Sequence, residues 1–316
     1  MIFFLPVKIP IGIFYKKQIE MNANEMHFTG FIWRPPYEAH SVLLQITSGC
    51  THNKCKFCSL YFGIKFRMSP KEEIESDLKI IQYYQPKARR LFLIGSNPFV
   101  LSYNRLYDLA MLIHDYLPRC EIGMFARISD IKNKTVEQLK ELRRFGYNGI
   151  SIGTETGDDI TLAEMNKGNT AQDTLEQCRK LEEAGIEYYF VYLTGLAGKG
   201  NGQRNALASA RLFSLLNPFI ISVVSLTLFP ESELYQDMQN GKYIVSSELE
   251  RVDELITFIE SLENKTTLLA NTVSNPVPIT GFLPKEKNLL LKQLQSINSN
   301  ISETELKTYR EGLKSL

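Results

Sequence analysis

The sequence has almost no excess charge of either sign. Its 36 Lys and Arg residues are balanced by 35 Asp and Glu residues, which leaves a formal net charge of +1. Proteins that hold RNA or DNA by its phosphates usually carry a basic excess or a basic face, because that contact is mainly electrostatic. The composition therefore does not favour a nucleic-acid-binding protein. The 316 residues, of which 44% are hydrophobic, suffice for one large α/β domain and an appendage.

A long apolar run and a secretion signal are also lacking. The first 17 residues are mostly apolar, but they have no leading positive charge and contain two prolines and three lysines. Such a segment is a poor signal peptide and is too short to span a bilayer. Met21 and Met26 offer alternative translation starts. We therefore expect a cytoplasmic protein without a membrane span, in which residues 1–39 form an N-terminal extension.

Cysteine is scarce and unevenly distributed. Three of the five cysteines lie between residues 50 and 58, and the other two, Cys120 and Cys178, are isolated. An odd number with this crowding is unlike the disulfide framework of a secreted protein, and it favours a reducing compartment. Cys178 shares a predicted helix face with Leu175 and Leu181, so we interpret Cys178 and the isolated Cys120 as structural.

Six short apolar runs alternate with amphipathic helical stretches. This alternation is typical of parallel strands joined by crossover helices. Right-handed crossovers would curve six such units into an incomplete barrel, with ligand sites at the carboxyl ends of the strands. The sequence therefore predicts an α/β fold, an incomplete parallel (β/α)6 TIM-like barrel. The predicted strands are 42–46, 91–94, 122–125, 150–152, 188–193 and 219–228.

The predicted helices carry their own start signals. Ser69 and Thr135 are each followed three residues later by Glu72 and Gln138, the spacing of a capping box. After Pro230 the regular alternation stops. We therefore divide the chain into a barrel core at 40–235 and a mainly helical C-terminal cover at 236–316. The predicted helices of the cover are 246–262, 285–297 and 302–313, around a turn-rich stretch at 271–283.

Three thiols directly follow the first predicted strand, in the segment Thr47-Ser48-Gly49-Cys50-Thr51-His52-Asn53-Lys54-Cys55-Lys56-Phe57-Cys58. Cysteine thiolates are the ligands of iron-sulfur clusters, and a four-iron cluster with only three of them keeps one iron open for an external ligand. A zinc site with His52 as fourth ligand is the structural alternative. Structural zinc ligands usually come as two separated pairs, whereas all candidates here lie in one loop. The pattern favours the cluster and leaves zinc open.

This segment resembles the signature of the radical S-adenosylmethionine (SAM) superfamily. The usual signature has three residues between the first two cysteines, two between the last two, and an aromatic residue before the last. Phe57 occupies the aromatic position, and the first gap has four residues, a spacing that occurs in some branches of the superfamily.

Three later segments extend the resemblance. The second predicted strand ends in Gly95-Ser96-Asn97, where the superfamily usually has two glycines and an acidic residue that hold the SAM amino group. The fourth ends in Gly153-Thr154-Glu155-Thr156-Gly157, followed by Met165-Asn166-Lys167-Gly168. The fifth ends in the glycine turn Thr194-Gly195-Leu196-Ala197-Gly198. Together they are similar to the branch of anaerobic coproporphyrinogen oxidase and the tRNA methylthiotransferases. The segment Pro35-Pro36-Tyr37-Glu38-Ala39 is similar to an uncharacterised bacterial branch.

The resemblance implies a cofactor set and a site. Cys50, Cys55 and Cys58 would hold one 4Fe-4S cluster. A one-electron donor such as flavodoxin or ferredoxin would drive reductive cleavage of SAM to a 5'-deoxyadenosyl radical, which removes hydrogen from a substrate. Residues of the substrate reaction itself stay unassigned. The implied SAM contacts are Phe57, Gly95, Ser96, Asn97, Arg127, Glu155, Gly195 and Leu196.

Several of these positions also have a purely structural interpretation. Phe57 fits a plain core residue, Gly95 a strand-end turn, Glu155 a helix-terminal charge, and Arg127 an ordinary salt bridge. A zinc-stabilised binding module and an iron-sulfur electron carrier are the competing functions. No second cysteine group, no room for a cobalamin domain before residue 40 and no basic C-terminal RNA module are visible. We therefore expect a small-molecule or peptide substrate rather than tRNA.

Overall fold

The computed structural model describes residues 26–29 and 32–312. Most of the predicted N-terminal extension, including Met21, and the end of the third predicted C-terminal helix lie outside these residues. The strands are β1 (Val42–Gln45), β2 (Thr47–Ser48), β3 (Arg67–Met68), β4 (Arg90–Ile94), β5 (Glu121–Ala126), β6 (Tyr147–Glu155), β7 (Tyr188–Thr194), β8 (Ile220–Ser225), β9 (Thr266–Ala270) and β10 (Ile279–Leu283).

The helices surround and extend this set of strands. They are α1 (Lys71–Tyr84), α2 (Tyr103–Tyr116), α3 (Ile128–Lys132), α4 (Val136–Arg144), α5 (Asp159–Glu164), α6 (Ala171–Glu183), α7 (Gly202–Ser214), α8 (Glu233–Gln239), α9 (Glu248–Ser261), α10 (Lys287–Asn300) and α11 (Glu303–Glu311). Within the described chain, no helix is both long and apolar enough to cross a membrane.

One twisted sheet organises the molecule. Its order is β1-β4-β5-β6-β7-β8-β9-β10, and all neighbours are parallel except the last pair. Helices connect each parallel strand to the next, so the six predicted β/α units and the incomplete TIM-like barrel are confirmed. The apolar faces of the strands and the crossover helices share one core, to which β4 contributes fully buried Leu91 and Leu93.

The C-terminal part contains its predicted helices and also two strands that the sequence did not predict. β9 continues the parallel sheet beside β8, and β10 returns antiparallel within the stretch interpreted as turn-rich. In β10 the buried positions Ile279, Gly281 and Leu283 alternate with exposed residues. Five residues with a central glycine give a weak strand signal, and the pairing partner that fixes the strand is supplied by the sheet.

One predicted helix start is wrong. Helix α1 begins at Lys71 after Pro70, and no side chain caps it. The N–H of Ser69 donates instead to the carbonyl of Ile46, at 2.8 Å. Ser69 therefore ties the chain leaving β3 back to the end of β1. The capping box at Thr135 is present as predicted.

The amino end of the barrel is closed by an ion pair. Glu38, which is 4% exposed, accepts hydrogen bonds from the Arg90 guanidinium and from the Ser41 hydroxyl. Arg90 also donates to the carbonyl of Asn148, at 3.0 Å. A buried pair is stable only when its remaining hydrogen-bonding groups are satisfied, as they are here.

Glycines and tyrosines complete this closed end. A Cβ atom on Gly123 or Gly149 would overlap the Arg90 guanidinium, so the two glycines provide its space. The Tyr37 hydroxyl lies 2.5 Å from the Ser151 hydroxyl, and the Tyr37 ring packs edge-on against Tyr189. The amino end is therefore sealed, which leaves the carboxyl ends of the strands as the place for a site.

Candidate functional site

The cysteine loop, residues 49–66, spans the small hairpin formed by β2 and β3 at the carboxyl end of β1. Two backbone hydrogen bonds through Lys56 hold the loop against later elements. The N–H of Lys56 donates to the carbonyl of Met165 at 3.1 Å, and its carbonyl accepts from the N–H of Leu234 at 2.8 Å. The loop is therefore attached to the carboxyl end of α5 and to the start of α8. It lies at the carboxyl ends of the strands, which we call the mouth of the barrel.

Cys50, Cys55 and Cys58 are free and half-buried in this loop. The N–H of Cys58 donates to the carbonyl of Cys55 at 3.1 Å, and the Cys50 sulfur accepts from the N–H of Asn53 at 3.4 Å. Burial raises the pKa of Cys58 to about 11 and also raises that of Cys55. In residues 26–29 and 32–312, no three His, Cys, Asp or Glu side chains are preassembled as a metal site. The donor set itself, three thiols in one loop, suits an iron-sulfur cluster.

Asn97 lies beneath this loop and is 1% exposed. Its amide nitrogen donates to the Thr51 hydroxyl and to the Asp130 carboxylate, both at 2.9 Å. Its carbonyl accepts from the Ser96 hydroxyl at 2.9 Å. The Asn97 side chain is therefore committed to protein partners that join the cysteine loop to helix α3, whereas Ser96 is half-buried at the same strand end.

Gly95 allows two chain segments to approach each other. Its φ angle is +113°, and a Cβ atom would overlap the carbonyl and hydroxyl of Thr47. The glycine therefore lets the end of β4 pass directly beside the base of the cysteine loop. This close packing agrees with the structural interpretation of Gly95 as a strand-end turn.

An ion pair occupies the end of β6. The Lys167 ammonium lies 3.0 Å from the Glu155 carboxylate, and their side chains are 7% and 13% exposed. A Cβ atom on Gly153 would come within 2.7 Å of the Glu155 carboxylate, so this glycine provides room for the pair. Glu155 itself has a φ angle of +64°, a left-handed conformation that costs energy in a non-glycine residue.

Lys167 also connects this pair to the cysteine loop. Its ammonium lies 5.8 Å from the centre of the Phe57 ring. Burial disfavours its charge, but Glu155 and Cys55 more than compensate, so the pKa of Lys167 lies above its ordinary value. In return, Lys167 and Arg127 lower the pKa of Cys55 against the larger effect of burial. Lys167, in the turn after α5, and Arg127, after β5, thus present positive charge to Cys55.

Arg127 follows β5 and braces the turn after α5. Its guanidinium donates to the carbonyl of Lys167 at 2.7 Å and to the Ser129 hydroxyl at 3.1 Å. Among the residues that the structure describes, no carboxylate forms a salt bridge with Arg127, whose guanidinium binds these two oxygen acceptors instead. His52 lies beside it and donates from Nε2 to the carbonyl of Asn166 at 2.7 Å. One ring nitrogen of the alternative zinc ligand is therefore already engaged.

The glycine turn after β7 is bound by helix α9 and by the loop that precedes it. The N–H of Gly195 donates to the buried Glu254 carboxylate at 2.8 Å, and its carbonyl accepts from the Tyr243 hydroxyl at 2.6 Å. The next residue, Leu196, belongs to a small apolar cluster against which Phe57 packs. The structure thus brings Phe57 and Leu196 together, and it fills the space beside Gly195 with Arg251.

Three residues of this site had no predicted role. Lys167 was part of a recognised segment, and its signal is the Asn166-Lys167-Gly168 turn, in which both neighbours have positive φ angles. Arg251 and Glu254 lie on the buried face of α9, where charged residues among Val252 and Leu255 are the signal. Charges on an otherwise apolar helix face indicate buried polar contacts, although not with which partner.

The sequence is similar to known proteins over most of the barrel. The family model described as the Radical SAM superfamily matches residues 44–209. The heme chaperone HemW of Bacillus subtilis is 28% identical over 160 residues, which cover 50% of this chain and 42% of HemW. A tRNA-2-methylthio-N(6)-dimethylallyladenosine synthase of Dehalococcoides mccartyi is 24% identical over 254 residues, 77% of this chain and 57% of the synthase. The chain thus spans about half the length of these curated relatives.

Solved structures share the fold. The methyltransferase TsrM from Kitasatospora setae, with cobalamin and a [4Fe-4S] cluster bound, superimposes with a TM-score of 0.54 at 17% identity, over 64% of this chain and 37% of TsrM. Coproporphyrinogen III oxidase (HemN) from Escherichia coli gives 0.52 at 18% identity, over 70% of this chain and 51% of HemN. With more than half of its residues matched by the family model, the chain belongs to the radical SAM superfamily.

Proposed function

We propose that this chain is a radical SAM enzyme, which cleaves SAM reductively at a single 4Fe-4S cluster and abstracts hydrogen from a small-molecule or peptide substrate. The observation that carries the proposal is the cysteine loop. It holds three thiols at the carboxyl end of β1, the edge of a parallel barrel at which ligand sites lie.

The donor set fits the cluster that the superfamily implies. Cys50, Cys55 and Cys58 would hold three irons and leave the fourth for SAM. When bound, the cluster supplies one electron to the sulfonium of SAM, which releases methionine and a 5'-deoxyadenosyl radical. The protein's part is to position the cofactors and to exclude competing reactions. Lys167 and Arg127 supply positive charge beside the thiolates, which favours their deprotonated form.

The SAM contacts divide into two groups by how free their side chains are. Glu155 is held by a single ion-pair contact from Lys167, so its carboxylate retains capacity to accept a hydrogen bond from the ribose or the amino group. Ser96 and Phe57 are half-buried at the same mouth. The second group comprises Asn97, Gly95 and Gly195. The Asn97 side chain is already bound to the protein and the glycines have none, so these residues would contact SAM only through backbone atoms.

The substrate and location follow the same reasoning. A formal net charge of +1 supports a small-molecule or peptide substrate rather than tRNA, even though one relative acts on tRNA by name. Free thiols that must stay reduced fit a cytoplasmic protein. The barrel core at 40–235 would carry the radical chemistry, and the cover at 236–316 would contribute to the substrate side of the mouth, as Glu254 already reaches Gly195.

Anaerobic reconstitution tests the proposal. The protein is loaded with iron and sulfide, reduced with dithionite and incubated with SAM, and 5'-deoxyadenosine is measured by chromatography. We expect about four irons per chain and formation of 5'-deoxyadenosine. One zinc in a colourless protein would establish the binding module instead, and a reducible cluster that neither binds nor cleaves SAM would establish the electron carrier.

A further inference from the structure

The cysteine loop lies in a long segment without acidic residues. No Asp or Glu occurs between Glu38 and Glu72, although the chain as a whole has 35 of them. The same segment contains Lys54, Lys56, Lys65, Arg67 and Lys71. A chain that is nearly neutral overall therefore concentrates positive charge around the loop that carries the thiols.

Part of this charge is available to a partner. Lys56 is neutralised by Asp237 at 3.0 Å and by Glu233 at 3.3 Å. Arg67 has one contact, at 3.6 Å with Glu73, and its side chain stays 42% exposed. Lys71 is paired with Glu75 at 3.4 Å. The remaining two cations, Lys54 and Lys65, are exposed and have no ion-pair partner within the part of the chain that the structure describes.

Apolar side chains lie among these cations. Phe62 is 68% exposed and Phe66 is 36% exposed. Phe62 stands at a tight tip, because its N–H donates to the carbonyl of Ser59 and the N–H of Ile64 donates to that of Tyr61, both at 3.0 Å. Gly63 completes the tip, and a Cβ atom there would meet no other atom within 4 Å. An exposed aromatic residue on a loop with a basic rim has the composition of a protein-binding surface.

The tip is also close to the thiols. The side-chain amide of Asn53 donates to the carbonyl of Tyr61, the residue before Phe62, at 3.2 Å. The backbone N–H of the same Asn53 donates to the Cys50 sulfur at 3.4 Å. Asn53 thus joins the exposed tip directly to one of the three thiols.

We propose that the loop surface, formed by Lys54, Phe62, Lys65, Phe66 and Arg67, docks an acidic one-electron carrier protein. The inference rests on the proposed function, which requires such a donor. In the complex one electron leaves the reduced carrier, whose flavin hydroquinone becomes the semiquinone, and reduces the cluster held by the three cysteines. No atom or bond is exchanged.

The arrangement favours a carrier over a nucleic acid. Complementary charge speeds the encounter of two proteins without requiring a tight complex, which suits a carrier that must bind and leave. A small patch with two free lysines gives few phosphate contacts, whereas stable RNA binding needs many of them. The apolar tip supplies the short-lived close contact through which an electron can pass.

Comparison of two reductants tests the docking surface. Formation of 5'-deoxyadenosine is driven either by dithionite, which needs no docking, or by flavodoxin hydroquinone. For Lys54→Glu/Lys65→Glu we expect the flavodoxin-driven rate per cluster to fall about tenfold at low salt, while the ratio to wild type under dithionite stays near one. Raising the salt concentration should slow the wild type and change the variant little. Phe62→Ser should raise the KM for flavodoxin.

A matched charge reversal at the sealed end provides the control. Lys87→Glu/Arg89→Glu changes two exposed cations just before β4 and should leave both rates unchanged. An unchanged flavodoxin-driven rate in the loop variant overturns the proposal. Loss of tRNA binding with that unchanged rate would assign the surface to nucleic acid instead. If the wild type yields no 5'-deoxyadenosine with dithionite, the proposed function fails, and direct binding of flavodoxin still decides the docking surface.

Discussion

The two ends of the barrel solve the same packing problem in different ways. At the amino end, Gly123 and Gly149 make room for Arg90, which is paired with Glu38. At the carboxyl end, Gly153 makes room for Glu155, which is paired with Lys167. Both ends therefore use glycine to place an ion pair among parallel strands.

The difference lies in what surrounds each pair. The amino-end pair is held by hydrogen bonds from the Ser41 hydroxyl to Glu38 and from Arg90 to the Asn148 carbonyl, and the Tyr37 and Tyr189 rings pack against each other nearby. The carboxyl-end pair adjoins half-buried thiols, and Glu155 holds a left-handed backbone conformation. Strained residues persist where the surrounding structure holds them, and they cluster at functional sites. We therefore expect substitutions at the amino end to affect mainly stability and substitutions at the carboxyl end to affect mainly the proposed chemistry.

The largest effect is expected for the loop cysteines. Cys55→Ala removes one of three cluster ligands, so we expect loss of most of the iron and of all 5'-deoxyadenosine formation, because two thiolates do not hold the cluster. Iron analysis and chromatography measure both. The thermal transition of the metal-free variant should match that of metal-free wild type, since the Cys55 side chain is half-buried.

The core cysteine Cys178 is the matched control. It is fully buried in α6, so Cys178→Ala should cost about 1 kcal/mol of unfolding free energy through lost packing, and should keep the iron. Equal iron loss in both variants would contradict the assignment of the loop as the cluster site.

At the sealed end, a large loss of stability is expected. Arg90→Leu leaves the Glu38 carboxylate buried without its cation, which should lower the unfolding free energy by about 4 kcal/mol. Urea denaturation of the metal-free protein measures the change. The double variant Glu38→Leu/Arg90→Leu removes both charges and should recover part of the loss. If the double variant is no more stable than Arg90→Leu, the pair is not the cause.

The sequence predicts the local elements of the barrel but not the contacts between distant residues that complete its two ends. The six strands and the position of the cysteine loop follow from local apolar patterns and from the rule that sites lie at the carboxyl ends of parallel strands. The Glu38–Arg90 pair joins residues 52 positions apart, and the Glu254–Gly195 bond joins residues 59 apart. Periodicity carries no information about such partners. β9 and β10 were missed for the same reason, because they are defined by pairing rather than by their own composition.

The close approach at the site end gives a smaller effect. Gly95→Ala adds a Cβ atom that overlaps Thr47, in a backbone conformation that disfavours alanine, so we expect a loss of about 3 kcal/mol. Gly185→Ala, with φ of +69° and no atom within 4 Å of the added Cβ, should cost only about 1 kcal/mol. The difference between the two losses of unfolding free energy, measured by urea denaturation, reports the contact between the end of β4 and the base of the cysteine loop. Similar losses in the two variants would show that only backbone strain matters.

The smallest effect concerns a buried cation that forms no salt bridge with any of the residues that the structure describes. Lys134 is 2% exposed and donates to the carbonyls of Phe99 at 2.7 Å and Asp130 at 2.9 Å, whereas Arg90 has Glu38. Burial lowers the pKa of Lys134 to about 8.

Between pH 8 and the ordinary lysine pKa of 10.5, the unfolded chain therefore binds more protons than the folded chain, and this residue makes stability rise with pH. From pH 7 to pH 9 the wild type should gain about 1 kcal/mol relative to Lys134→Met, measured by urea denaturation at each pH. Subtracting the variant removes the opposing ionisation of buried thiols and tyrosines, which both proteins share. The control Lys132→Met removes an exposed lysine from α3, and its stability should change with pH as that of the wild type does. If the stability of Lys134→Met also changes with pH as the wild type does, Lys134 stays charged throughout.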